Sequence, residues 1–283
     1  MTLPPWIVLD PSLKSWLLED IGRGDRATQG LLTAETHQGK AEWIIKEAGI
    51  IAGLPVADRV FHLLNSEVVF TSLVKEGEFC ESGMTIARLE GALDALLMGE
   101  RVALNLVMRL SGIASVARQY VDAIADLPAR FADTRKTTPG LRLLEKYATR
   151  IGGASNHRMG LDDAAMIKDN HIQAAGGVGK AIARVRTTLP YPLTIEVETS
   201  NLIEVKEAIE HPINIIMLDN MKIEMMKEAV EMIRDRNSEI LIEASGNITL
   251  KTIREVAKTG VDYISSSAPI TRSHWLDLSM RFV

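Results

Sequence analysis

The sequence predicts an α/β protein whose C-terminal part is an incomplete parallel α/β barrel. Two observations carry the barrel: beyond Leu127 short apolar runs alternate with amphipathic helical stretches, and polar residues close nearly every run. A third sets the earlier part of the chain apart, because it lacks that alternation and reads as a separate small sheet.

In chain order, PSLKSWLLEDIG reads as a short helix stopped by glycine. AEWIIKEAGIIAGL, EVVFTSLVKEG and MTIARLEG carry β-branched residues and turn punctuation, which predicts strands. From Ala92 to about Leu127 apolar residues recur at helical spacing, giving one long helix or two joined near Gly112. The strands that follow are RFADT, AAMIKD, LTIEVE, INIIMLD, EILIEAS and VDYISSS. Between them lie the helices GLRLLEKYATRIGG, VGKAIARVRTTL, NLIEVKEAIEH, IEMMKEAVEMIRDR and TLKTIREVAKTG. Helical crossovers between strands imply a parallel sheet covered by helices. A doubly wound sheet fits the same rhythm. The polar strand ends favour a partial barrel, where functional groups sit at the carboxyl ends of strands.

A chain of 283 residues, 46% hydrophobic and 24% charged, has ample material for a large core. Its net charge of -5 argues against a general nucleic-acid binder. The N-terminal MTLPPWIVLDPSL lacks the pattern of a signal peptide, and no apolar stretch approaches the ~20 residues a spanning helix needs. Cys80 is the single cysteine, which excludes an intrachain disulfide and suits a reducing compartment. The expectation is a soluble, cytoplasmic protein with neither nucleic-acid nor membrane partners.

Against that acidic background FADTRKTTPG is unusual, because it gathers Thr134, Arg135 and Lys136 at a strand end. The next loop and strand add Asn156, His157, Arg158, Lys168, Asn170 and His171. Later strands end in Glu196 and Glu198, then Asp219 and Asn220, then Glu243, Ser245, Gly246 and Asn247, and finally Ser265, Ser266 and Ser267. Cations thus come first, carboxylates in the middle and small polar residues last. Surface loops commonly carry Arg and Lys, so each cation alone is weak evidence. Lys168 is stronger, since it interrupts an apolar run where a charge needs a partner. Glu196 and Glu198 are two apart and share a strand face. Such a pair needs cations, as a structural ion-pair network or, the favoured reading, as a ligand site. The small residues of EASGN let backbone N–H groups approach an anion, and the last two strands of a barrel commonly bind phosphate. GGVG lacks the rest of a P-loop, and there is no GxGxxG. His37, His62, His211 and His274 show no ligand spacing, which speaks against structural zinc. Carboxylates beside phosphates suit Mg²⁺ instead.

The segment DTRKTTPGLRLLEKYATRIGGASNHRMGLDDAAMIKDNH closely resembles the quinolinate phosphoribosyltransferase family, also called nicotinate-nucleotide pyrophosphorylase (carboxylating). LLEDIGRGDRAT, KEAGIIAGL, GERVALNLVMRLSGIAS, IEVET, IIMLDN, EASGNI and TGVDYIS follow in the family's order, so the resemblance runs almost end to end. It implies an N-terminal α/β sandwich domain over residues 1–110, completed by the tail 270–283, and a barrel over 111–269. It implies a homodimer as the minimal assembly, with each site capped by the partner. The implied reaction joins quinolinate to phosphoribosyl pyrophosphate and requires Mg²⁺ but no organic cofactor. The products are nicotinate mononucleotide, pyrophosphate and CO₂.

By the same resemblance, quinolinate contacts fall on Arg101, Arg135, His157, Arg158 and Lys168, with Arg101 reaching the other subunit's site. Thr134 accompanies the first cluster. Phosphoribosyl positions fall on Lys136, Glu198, Asp219, Ser245, Gly246, Asn247 and the segment Ser266, Ser267 and Ala268. Lys136, Glu198 and Asp219 are the implied catalytic residues, and the last two are the metal positions, direct or through water. The chain departs from the family's common pattern at SSSAPITR, where Ser267 replaces a glycine, and at Asn247, where a second glycine is common. A paralogous group associated with molybdenum transport shares the fold, but intact TRK and NHR segments favour quinolinate. A catalytically silent anion-binding barrel is the other alternative, and the retained acids Glu198 and Asp219 argue against it.

Overall fold

The structure, a computed structural model, describes residues 3–32 and 37–283. Met1 and Thr2 of the N-terminal segment read above lie outside the described residues. In chain order the first elements are α1 (Trp6–Ile21), α2 (Arg26–Leu31), β1 (Gln38–Ile45), β2 (Gly49–Ile50), α3 (Leu54–Leu64), β3 (Val69–Ser72), β4 (Phe79–Cys80), β5 (Thr85–Ala92) and α4 (Leu93–Asp122). There follow β6 (Arg130–Ala132), α5 (Arg142–Ile151), β7 (Ala165–Ile167), α6 (Asp169–Ala175), α7 (Val178–Thr188), β8 (Ile195–Thr199), α8 (Leu202–Ala208) and β9 (Ile215–Asp219). The last are α9 (Ile223–Arg236), β10 (Leu241–Ser245), α10 (Ile253–Ala257), β11 (Tyr263–Ser265), α11 (Ala268–Thr271) and β12 (Leu278–Phe282).

Packing separates two compact units. The first comprises Met1–Arg118, Thr138–Gly153 and Arg272–Val283. Its four-stranded antiparallel sheet has the order β12-β1-β5-β3, so the C-terminal strand joins the N-terminal sheet. Alternation along β1 buries Ala41, Trp43 and Ile45 on one face. Trp43 meets Phe61 and Phe70 edge-on, with centroids 6.2 and 5.5 Å away. Helix α5, part of the 111–269 segment, packs in this unit for an electrostatic reason. Its wholly buried Glu145 accepts from Arg109 Nε at 3.1 Å and Nη2 at 2.7 Å. On the same helix Tyr147 donates to Glu76 at 2.6 Å.

The second unit comprises Gln119–Thr137 and Ala154–Thr271. Its six parallel strands have the order β6-β11-β10-β9-β8-β7. The first strand in sequence therefore pairs with the last, which a doubly wound sheet does not do. Among the described residues no ladder joins β6 to β7, so the barrel stays incomplete. Beside β6 runs Ser155, which donates to the Phe131 carbonyl at 2.8 Å and accepts from the Asp133 N–H at 3.0 Å. Strand β8 is buried at Ile195, Glu196, Val197 and Thr199, as expected where helices cover a parallel sheet.

Several elements differ from the sequence expectation. Helix α1 starts at Trp6, not Pro11, and keeps Pro11 inside, because Leu9, Leu13 and Leu17 form a buried stripe that spans it. AEWIIKEAGIIAGL is not one strand: it breaks into β1 and β2, and its last residue opens α3, a helix the turn residues had masked. EVVFTSLVKEG keeps only Val69–Ser72 as strand. Short helices α2, α6 and α11 are additions. Helix α4 is continuous through Gly112, where a Cβ would meet the His274 carbonyl at 1.8 Å. Among the described residues no helix is long and apolar enough to cross a membrane.

Candidate active site

Parallel pairing sets all six strands of the second unit pointing the same way, so their carboxyl ends meet on one side. There a cavity of about 500 Å³ is lined by Thr134, Arg135, Lys136, His157, Arg158, Met166, Lys168, Glu198, Met217, Asp219, Asn220, Glu243, Ser245 and Ser265. The cationic, carboxylate and hydroxyl groups scattered along the sequence thus face one volume.

The loop after β6 is held by its own polar groups. Thr134 Oγ1 accepts the Lys136 N–H at 3.1 Å. Asp133, fully buried, accepts the His157 N–H at 2.9 Å and Asn156 Nδ2 at 2.7 Å. This aspartate ties the TRK segment to the NHR segment, and sequence reasoning passed over it; its place beside Thr134 was the available signal. Arg158 donates to the Ala164 carbonyl at 2.8 Å. Burial, and then the charge of Arg135, hold its guanidinium below the usual arginine range. Arg135 Nε is itself buried without a partner among the described residues. Two guanidiniums in one cavity, one with an orphaned N–H, are arranged for an anion that can take several forked hydrogen bonds.

The two glutamates of β8 divide the work that the sequence assigned to them jointly. Glu198 lines the cavity and accepts from Lys168 Nζ at 2.8 Å, which supplies the partner this lysine requires. Glu196 lies deeper, 2% exposed. His157 Nε2 stands 3.2 Å from Glu196 Oε2 and 3.4 Å from Glu243 Oε2. Burial opposes charge on His157, but the hydrogen bonds and charges of both carboxylates outweigh it and push the imidazole up to about 10. Burial raises Glu196, the His157 bond lowers it, and Glu243 raises it again, leaving it above the usual carboxylate range. With two carboxylate oxygens this close to it, His157 Nε2 carries its proton between the acids. These three residues are also spaced to ligate a metal. Held protonated by both acids, Nε2 offers a proton there rather than a lone pair, and the group reads as a proton-holding cluster.

At the ends of β10 and β11, Ser265 Oγ donates to Ser245 Oγ at 3.1 Å. Gly246 and Asn247 continue that loop, with positive φ at both. The serine run divides: Ser265 lines the cavity, whereas Ser266, Ser267 and Ala268 are not among its lining residues. Ser266 Oγ donates to the Ile248 carbonyl at 3.4 Å, the Ser267 carbonyl accepts Thr271 Oγ1 at 3.0 Å, and Ala268 is buried at the start of α11. Asn170 and His171 belong to α6, and His171 Nδ1 accepts the Lys168 N–H at 3.0 Å. Arg101 belongs to the first unit, where it is exposed and lines a cavity of about 550 Å³ with Trp16, Asp20, Asn105 and Trp275.

The family model of the quinolinate phosphoribosyl transferase N-terminal domain matches residues 25–111, and that of its C-terminal domain matches residues 113–281. A Synechocystis sp. protein described as a probable nicotinate-nucleotide pyrophosphorylase (carboxylating) is 62% identical over 281 residues, covering 99% of this chain and 95% of its own. A Bacillus subtilis protein of the same description is 41% identical, covering 95% and 91%. The crystal structure of NadC from Streptococcus pyogenes superposes with a TM-score of 0.94 at 42% identity, covering 100% of this chain and 99% of that one. The chain belongs to the quinolinate phosphoribosyl transferase family.

Proposed function

We propose that the protein transfers the phosphoribosyl group of phosphoribosyl pyrophosphate to quinolinate with decarboxylation, as a step of NAD biosynthesis. The products are nicotinate mononucleotide, pyrophosphate and CO₂. The observation that supports this best is the crowding of Arg135 and Arg158 in one cavity, opposite Glu198 and Asp219. A planar aromatic with two adjacent carboxylates matches the guanidinium end. A sugar that becomes cation-like as its leaving group departs matches the carboxylate end.

In this reading Arg135, Arg158 and Lys168 hold the dianion with its ring nitrogen toward C1 of the ribose. Orienting both reactants in one cavity can supply ~7–11 kcal/mol of the barrier. Glu198 and Asp219 favour positive charge developing at C1, and Lys136 stabilises the departing pyrophosphate. The ring nitrogen attacks C1 as the bond to pyrophosphate breaks and becomes quaternary; that positive charge stabilises the electron pair left when the neighbouring carboxylate departs as CO₂, and a proton from water then closes that ring carbon. His157 lines the same cavity and completes its cationic wall. Ser245, Gly246 and Asn247, with Ser266, Ser267 and Ala268 behind them, form the phosphate side.

The donor set also fits Mg²⁺: Glu198 and Asp219 are oxygen ligands on adjacent strands, and one or two carboxylates with substrate oxygens are what this ion takes. These residues would hold it directly or through water, and when bound it would neutralise phosphate charge. A cytoplasmic location and a homodimer complete the reading, with Arg101 serving the partner's cavity.

The direct test is CO₂ release from carboxyl-labelled quinolinate, which should depend on phosphoribosyl pyrophosphate. No release at saturating concentrations of both substrates would remove this activity. For the shared site, Arg101→Ala and Lys136→Ala chains should each be inactive alone and recover activity when mixed, since one of the two sites is then intact. Verified hybrids that stay inactive would exclude a cross-subunit Arg101.

A further inference from the structure

Two residues other than glycine hold positive φ among the described residues, Asn220 and Asn247, both at 53°. They occupy neighbouring loops, just after β9 and just after Gly246 beyond β10. Asparagine tolerates the left-handed region better than most side chains, yet two instances together need a reason. Their side chains meet: Asn247 Nδ2 donates to Asn220 Oδ1 at 3.0 Å. Asn220 Nδ2 then donates to Asp219 Oδ2 at 2.8 Å. The Asn220 backbone N–H, in turn, donates to the Ser245 carbonyl at 2.9 Å. The sense of this relay is fixed chemically. A carboxylate only accepts, so Asn220 must turn its NH₂ toward Asp219 and its carbonyl toward Asn247. Gly246 leaves the room: a Cβ there would come 2.2 Å from Asn220 Oδ1.

We propose that Asn247 and Asn220 are positioning residues, in which Asn247 orients the Asn220 amide and that amide holds Asp219 Oδ2, leaving Oδ1 for the phosphoribosyl substrate. The proposal rests on the reading of the cavity as a phosphoribosyl-transfer site. Among the described residues Oδ1 of Asp219 accepts no protein hydrogen bond. The carboxylate therefore presents one oxygen in a set direction, and rotation about its last bond would break the Asn220 contact. At position 247 the side chain, rather than a close backbone approach to phosphate, does the work.

The test uses the full chain with Asn247→Asp and Asn247→Gly. Aspartate keeps the size and the backbone tolerance but replaces a donor by an acceptor and adds a charge that repels phosphates, so the uncharged Asn247→Gly and the Asn220 amide signals separate the relay from that repulsion. Asn220 would then turn its NH₂ to residue 247 and its carbonyl toward Asp219, which repels it. Calorimetry with phosphoribosyl pyrophosphate and Mg²⁺, without quinolinate, should show affinity lower by about tenfold in Asn247→Asp and by about threefold in Asn247→Gly. Quinolinate affinity should stay within error, and so should melting temperature, since in glycine the relief of positive-φ strain is offset by the greater freedom of the unfolded chain. Parental phosphoribosyl pyrophosphate affinity in Asn247→Asp would overturn the proposal, because a merely space-filling role survives that change. The side-chain amide signals of Asn220 in ¹⁵N spectra give a second readout: slow solvent exchange in the parent, lost in Asn247→Gly. Fast exchange in the parent would also overturn it. If the parent does not bind phosphoribosyl pyrophosphate at all, the functional reading fails, while the amide signals still decide the tether.

Discussion

Replacing His157 by alanine should lower the unfolding free energy by about 3–5 kcal/mol at neutral pH. The loss arises because Glu196 and Glu243, 2% and 4% exposed, face the same imidazole nitrogen. Each also has a second oxygen, Oε1, that is buried with no partner among the described residues. Without Nε2–H between them the two carboxylates repel in a poorly screened place, and one must take up a proton. The sign of the pH dependence follows. In the parent, the His157 contribution is complete below its unfolded value of 6.5 and is lost as pH rises toward about 10. In the variant the proton-binding group is a carboxyl already raised from 4.5, and it loses the His157 contact that had held it down. Its folded state keeps a proton that the unfolded chain releases, so stability falls as pH rises above 4.5. Glu196 is raised in the parent as well, so both proteins lose stability above 4.5, but without the His157 contact the variant's carboxyl holds its proton to higher pH and its deficit should widen between 4.5 and 6.5. Urea unfolding at several pH values reads this directly; a deficit that is constant from pH 4.5 to 6.5 would mean that the cluster is not coupled as described. Glu243→Gln, which removes one acid and keeps the imidazole, should cost far less.

Arg158→Ala should weaken quinolinate binding by roughly 100-fold, the worth of a charge-assisted contact with a desolvated carboxylate. Affinity for phosphoribosyl pyrophosphate should change by less than about threefold, since an exposed-side electrostatic effect alone is small. Stability should move the other way from the usual truncation. Arg158 is held below the ordinary arginine range by burial and by Arg135, so its removal relieves both. The melting temperature should hold or rise slightly, the trade between stability and activity expected where a site keeps like charges together. Arg158→Lys should restore little, because an ammonium cannot fork across a carboxylate. Calorimetry with each ligand separately decides the matter: equal losses for both would contradict the assigned division of the cavity.

The local grammar of this protein is written in its sequence. Six apolar runs and the helices between them appear as strands and helices where periodicity placed them, because burial on both faces demands continuous apolar strands and amphipathic covers. Lys168 announced a partner by interrupting an apolar run, and it has Glu198. Other features were decided only when the chain closed on itself. That α1 carries Pro11 depends on a leucine stripe strong enough to span it. Strand period puts Glu196 and Glu198 on one face, but their different depths follow from which strands flank β8 and from His157 arriving from another loop. The same limit hid Asp133, and the Asn247–Asn220–Asp219 relay joins residues from two loops. A sequence determines which groups each element offers and the face that offers them. Which groups from distant elements come within hydrogen-bonding reach is set by sheet order and register, because ångström-scale distances between strands have no counterpart in spacing along the chain.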